Sequence, residues 1–314
     1  MPGSGAPEIR SSPELVWSVV SLTFIRPLSI VAALCAAVVL AGCASQVDPS
    51  ATRDSLAEVT ENPDPPQAAE LYDAELHPDP IVEPRDCSPY LVITVRGTGE
   101  PSKGQLLSPV ARSISQARPD QVDVLDLDYP ADGEMSEGGT LGARTLVDTL
   151  NVQAEACDEQ RFVLLGYSQG ALVIGDALAA PDARIVGGTV GVVSESAVER
   201  VLAVVFYGDP RFVGGEPFNA GSYDPEVNGL LPRAQGSLDA FADRVRDYCV
   251  ARDFICQSSS LDLDESGHVA YFDNGMQQDG AAFVINRLDP HDDDETGDSS
   301  DRRGPDAPDA DPAR

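Results

Sequence analysis

Arg161-Phe162-Val163-Leu164-Leu165-Gly166-Tyr167-Ser168-Gln169-Gly170-Ala171 is the stretch that decides the fold. Its apolar run, Arg161 to Leu165, reads as a buried strand ended by glycine. The run from Ala171 to Ala179 reads as a helix that follows at once. Between them lies Gly-x-Ser-x-Gly, with Ser168 at its centre. A serine on so sharp a strand-to-helix turn is a nucleophile elbow. Its glycines leave room where side chains would strike the neighbouring strand and helix, and the hydroxyl stands clear of the sheet edge. The five-residue pattern alone is a weak signal; the strand–turn–helix frame makes it a strong one.

Working outward, apolar runs alternate with helical patterns. Tyr90 to Val95 is a buried strand by length and β-branching, and Val122 to Leu127 a more polar one. Gly139 to Ala156 carries Leu141, Val147, Leu150 and Ala154 near helical spacing. Arg200 to Tyr207 is a further strand. Leu238 to Val245 and Ala281 to Leu288 read as helices. The alternation predicts an α/β fold with a parallel central sheet and helices on both faces.

A serine hydroxyl needs a base near neutral pH. Of the three histidines, His77 and His291 lie outside the central region, which leaves His268, in the loop Ser266-Gly267-His268. In this fold the acid lies between serine and histidine in chain order. Asp209, in Gly208-Asp209-Pro210, and Asp253, between Cys249 and Cys256, both qualify. Asp262 and Asp264 read as solvated loop charges. The oxyanion needs donors. One is the backbone N–H of Gln169. The other belongs to Arg96-Gly97-Thr98-Gly99-Glu100 after the first strand, with Thr98 as the donor.

The chain has 314 residues with 52 Asp and Glu against 21 Lys and Arg, net charge −31. Such acidity excludes a nucleic-acid binder and disfavours an anionic membrane face. Residues 1–43 read as a secretory signal: Arg26, an apolar run from Leu28 to Gly42, then small residues at the exit. About fifteen apolar residues are too few for a membrane-spanning helix, which needs roughly twenty. The ending Leu40-Ala41-Gly42-Cys43 resembles a bacterial lipoprotein box, with Cys43 the acylated residue. Residues 44–85 read as a disordered Pro-rich acidic linker, 86–288 as one domain, and 289–314 as a disordered acidic tail. With Cys35 and Cys43 assigned to the signal, Cys87, Cys157, Cys249 and Cys256 remain, an even number for an oxidising compartment. The short Cys249–Cys256 spacing suits a local bridge, leaving Cys87 with Cys157. No metal site is expected: the Asp292-Asp293-Asp294-Glu295 run reads as solvated charge.

These motifs together, in this order, resemble the cutinase family across 86–288. They are Arg96-Gly97-Thr98, Gly166-Tyr167-Ser168-Gln169-Gly170, Gly208-Asp209-Pro210, and Cys249-x3-Asp253-x2-Cys256 followed by His268. The resemblance implies a three-layer α/β-hydrolase sandwich without a large lid. It implies Ser168 as nucleophile, Asp253 as acid, His268 as base, Thr98 and Gln169 as oxyanion hole, and bridges Cys87–Cys157 and Cys249–Cys256. Asp209 then becomes structural. The signal and acidic flanks resemble actinobacterial surface relatives more than secreted fungal enzymes. Leu261 and Leu263 are candidates for an acyl groove or for the core.

The expected function is that of an exported serine esterase, lipid-anchored or secreted, monomeric and free of cofactors. It would hydrolyse short- to medium-chain esters, lipids or polyesters. The same residues could instead pass the acyl group to another alcohol in the envelope. A degenerate hydrolase domain serving as a surface binding module is the reading from outside enzymology.

Overall fold

The computed structural model describes residues 53–54, 56–57, 66–258 and 265–289. The signal with Cys43, the stretch from Leu261 to Asp264, and residues from 290 onward lie outside them.

Among the described residues one parallel sheet holds β1 (Tyr90–Val95), β2 (Val122–Asp126), β3 (Arg161–Tyr167), β4 (Val201–Tyr207), β5 (Asn219–Ser222) and β6 (Val245–Val250), in the order β2-β1-β3-β4-β6-β5. Strand side chains alternate between two packed faces, as period two requires. Leu91, Ile93, Phe162, Leu164, Val204 and Phe206 meet one helical layer. That layer holds α3 (Met135–Ala156) and α4 (Gln169–Leu178). Val92, Val163, Leu165, Val205 and Tyr207 meet the other, with α2 (Ser108–Ala117) and α6 (Met276–Ile285). Two shorter helices, α1 (Pro66–Leu71) and α5 (Glu195–Arg200), flank the first layer. The three-layer α/β arrangement expected from the alternation is the observed one.

Two of the differences from expectation reshape the fold. The helix read over Leu238 to Val245 is a short 3-10 turn, Asp239–Phe241, and Val245 opens β6. Arg246 and Asp247 disguise β6 as a polar helix, yet Asp247 is fully buried in a strand that pairs with β4 and β5. The second difference concerns the linker. Residues 66–85 follow a defined path over the domain, starting with α1, whose Ala68 is buried. Hydrogen bonds hold this path. The buried Arg144 guanidinium donates to the carbonyl oxygens of Tyr72, His77 and Asp79. Asp148 accepts the Ile81 N–H, and Gln153 the Arg85 N–H. Further back, Leu56 is buried in a small apolar cluster that includes Leu172 and Ile255.

Both disulfides form as paired in the sequence reading. Cys87–Cys157 ties the start of β1 to the end of α3, and Cys249–Cys256 closes a small ring after β6.

Candidate active site

The sheet order reverses between β1 and β3: from β1 the chain moves to β2 on one side, and from β3 to β4 on the other. The crevice at the carboxyl ends of such a strand pair is where open α/β sheets place their sites. Arg96-Gly97-Thr98 leaves β1 there, and Ser168 leaves β3.

Ser168 has φ 54° and ψ −119°, a left-handed backbone that a residue with a Cβ adopts only under strain. Its N–H donates to Tyr207 O at 2.9 Å, which anchors the turn on β4. Gly170 allows the tight exit into α4: a Cβ there would lie 1.8 Å from the carbonyl oxygen of Val95.

The structure brings Ser168, His268 and Asp253 together. Ser168 Oγ lies 2.9 Å from His268 Nε2, and His268 Nδ1 lies 3.0 Å from each oxygen of Asp253. All three residues are buried. His268 sits on a 3-10 turn, Glu265–Phe272, where the sequence suggested a loop. The Tyr167 ring stacks on the imidazole at 5.0 Å, and its hydroxyl donates to His268 O at 2.8 Å. Asp253 stands inside the Cys249–Cys256 ring, and its Oδ1 accepts the Ile255 N–H at 2.9 Å. Gly208, with φ 60°, passes so close that a Cβ would come within 2.9 Å of both Asp253 Oδ2 and His268 Nδ1. A side chain at 208 would wedge the pair apart.

The loop after β1 is built around two buried ionic groups. The Arg96 guanidinium donates to the carbonyl oxygens of Glu100, Leu127, Tyr129 and Pro130. The Glu100 carboxylate accepts the N–H groups of Gly97 at 2.8 Å and Leu106 at 2.7 Å. Burial pushes the Glu100 carboxyl above its ordinary range, against the pull of these donors. The braced loop carries Thr98, whose hydroxyl donates to Gln169 Oε1 at 2.9 Å. Gln169 is the first residue of α4, so its N–H has no partner within that helix. Thr98 and Gln169 thus lie side by side next to Ser168.

Asp209 is elsewhere. Its Oδ2 pairs with Arg233 Nη1 at 2.6 Å, and its Oδ1 accepts the Arg211 N–H. The roles of Gly208 and Glu100 were missed in the sequence, although each lies inside a motif that was read. Tyr271, which donates to Asp253 Oδ2, was missed outright.

A serine hydroxyl, an imidazole and a carboxylate in series can abstract and return one proton. The family model described as Cutinase matches residues 86–288. A protein named cutinase from Kineococcus radiotolerans is 32% identical over 200 residues, 63% of this chain and 61% of that one. An acetylxylan esterase from Hypocrea jecorina is 33% identical over 171 residues, 51% of this chain and 54% of that one. The chain therefore spans less than two thirds of the length of both relatives. The solved catalytic core of the acetyl xylan esterase from Trichoderma reesei superposes with TM-score 0.55 at 26% identity, covering 65% of this chain and all of that core.

Proposed function

The chain belongs to the cutinase family, and we propose on that premise that it hydrolyses carboxylic esters with Ser168 as nucleophile. Ser168 Oγ attacks the ester carbonyl while its proton passes to His268 Nε2. The Asp253 carboxylate balances the imidazolium that forms. The tetrahedral oxyanion accepts hydrogen bonds from the backbone N–H groups of Gln169 and Thr98. As the intermediate collapses, the alcohol takes the proton from His268 and leaves an acyl-serine. Water then attacks, with His268 again as base, and the carboxylic acid departs.

The carrying observation is the unbroken series from Ser168 Oγ through His268 to Asp253 at 2.9 and 3.0 Å. Relatives named for cutin and for acetylated xylan share ester cleavage as their chemistry. Short- to medium-chain acyl esters, lipids or polyesters are the substrates proposed here. The two disulfides fit an oxidising compartment and so an exported protein.

Ser168→Ala tests the reading on p-nitrophenyl butyrate. Turnover should fall by about 10³-fold or more, and covalent labelling by a fluorophosphonate should vanish. Retained turnover or retained labelling would overturn the assignment.

A further inference from the structure

Asp253 has a carboxylate free to rotate about its Cβ–Cγ bond unless something holds each oxygen. Oδ1 is held by the Ile255 N–H at 2.9 Å, a contact within its own loop. Oδ2 is held from outside that loop: the Tyr271 hydroxyl donates to it at 2.7 Å. Tyr271 is fully buried. Its ring stands edge-on to Tyr167 at 6.3 Å and to Tyr207 at 5.9 Å, and these contacts brace the phenol. The hydroxyl also lies 3.4 Å from Cys256 Sγ, in the bridge that closes the ring around Asp253.

We infer that Tyr271 is the positioning residue for the Asp253 carboxylate, donating to Oδ2 so that the plane of the acid stays aligned with the imidazole of His268. This rests on the proposed reading of Ser168, His268 and Asp253 as one relay. With one donor on each oxygen, Nδ1 of His268 meets both oxygens at 3.0 Å. A donor from a neutral phenol also offsets the cost of burying the carboxylate, and it spreads the negative charge. Burial, and then the charge of Asp253, push the Tyr271 hydroxyl well above the ordinary phenol range, so it stays protonated and remains a donor. His268 and Tyr271 share the turn Glu265–Phe272. The base and the group that aims its acid are therefore carried by one short element.

The test uses the full chain with Tyr271→Phe, which keeps the ring and deletes the donor. On p-nitrophenyl butyrate kcat should fall about 10- to 100-fold, the range for losing a hydrogen bond to a charged group, with KM nearly constant. The acid limb of the kcat/KM profile should move to higher pH, because a carboxylate short of a donor holds the imidazolium proton more tightly. In an Asp253→Ala background the same substitution should cost less than about twofold, since nothing is left to aim. p-Aminophenylalanine at 271, which restores a donor, should recover most of kcat; this variant also decides the matter should the Phe variant fail to fold. An unmoved acid limb with unchanged kcat, an undiminished loss in the Asp253→Ala background, or no recovery with p-aminophenylalanine would overturn the inference. Failure of the relay itself would show separately, as activity retained in Ser168→Ala.

Discussion

Asp209 and Asp253 both follow strands of the sheet and both are fully buried, but they face different partners. Asp253 faces His268, and Asp209 faces the guanidinium of Arg233 at 2.6 Å. Their substitutions should separate cleanly. Asp253→Asn should keep the fold and lower kcat by about 10³- to 10⁴-fold, because the amide cannot balance the imidazolium or hold its tautomer. Asp209→Asn removes the carboxylate paired with the buried Arg233 and should lower stability by about 1–3 kcal/mol, less than a wholly unpaired charge would cost, because Asp247 and Asp176 also act on that guanidinium. Thermal melts beside steady-state kinetics would show the two effects; a stable but inactive Asp209→Asn would reverse the assignment. Chain order alone admitted both residues, since both lie between Ser168 and His268. What distinguishes them is Arg233, a loop residue whose position beside Asp209 no local pattern announces. Ser168 was legible because a nucleophile elbow is a local object: strand, glycine, serine, glycine and helix are contiguous. Tyr271 was not, because its role depends on where a second loop ends up.

Strands β1 and β3 could be read from their unbroken apolar runs, since both faces of a central parallel strand are covered. β6 could not, because Val245-Arg246-Asp247-Tyr248-Cys249-Val250 hides a strand behind two charges. Asp247 belongs to a buried network in which Asp176 pairs with Arg211 at 2.8 Å and Asp209 with Arg233 at 2.6 Å. It is a third acid set against two guanidiniums. Burial, and then the charge of Asp209, hold the Asp247 carboxyl well above its ordinary range. The folded chain thus binds a proton that the unfolded chain releases above about pH 4. This contribution to stability is fully present below that pH and is lost as pH rises through the folded value. Asp247→Asn, which mimics the neutral acid, should remove this slope. Relative to the unsubstituted chain, its melting temperature should gain as pH rises above about 4. Parallel pH curves for the two proteins would show that Asp247 does not hold the proton.

On the scale of the whole molecule, composition proved a poor guide to where the fold begins. Residues 66–85 carry few large apolar side chains, which reads as a linker, because an apolar count registers only burial. Much of what fixes them is polar, and most of that comes from α3. Arg144, 2% exposed, pairs with Asp148 at 2.7 Å and donates to Tyr72, His77 and Asp79, whose carbonyl oxygens lie 2.9 to 3.4 Å away. Thr189 adds a second attachment: its hydroxyl donates to Ala69 O, and its carbonyl oxygen accepts the Ala74 N–H. A chain starting at residue 86 would strip the Arg144 guanidinium of three acceptors and open the adjoining helical layer to water. Losing hydrogen bonds to one charged group costs about 1.5–3 kcal/mol. For a domain near 200 residues that lowers the melting temperature by about 2–4 °C per kcal/mol, so a drop of about 3–12 °C is expected relative to a chain starting at residue 66. The Arg144→Met substitution identifies the cause. It should destabilise the longer chain strongly and the shorter one weakly, because the coupling is present only while both partners are. Equal melting temperatures for the two chain lengths, or an equal effect of Arg144→Met in both, would return these residues to the status of a linker.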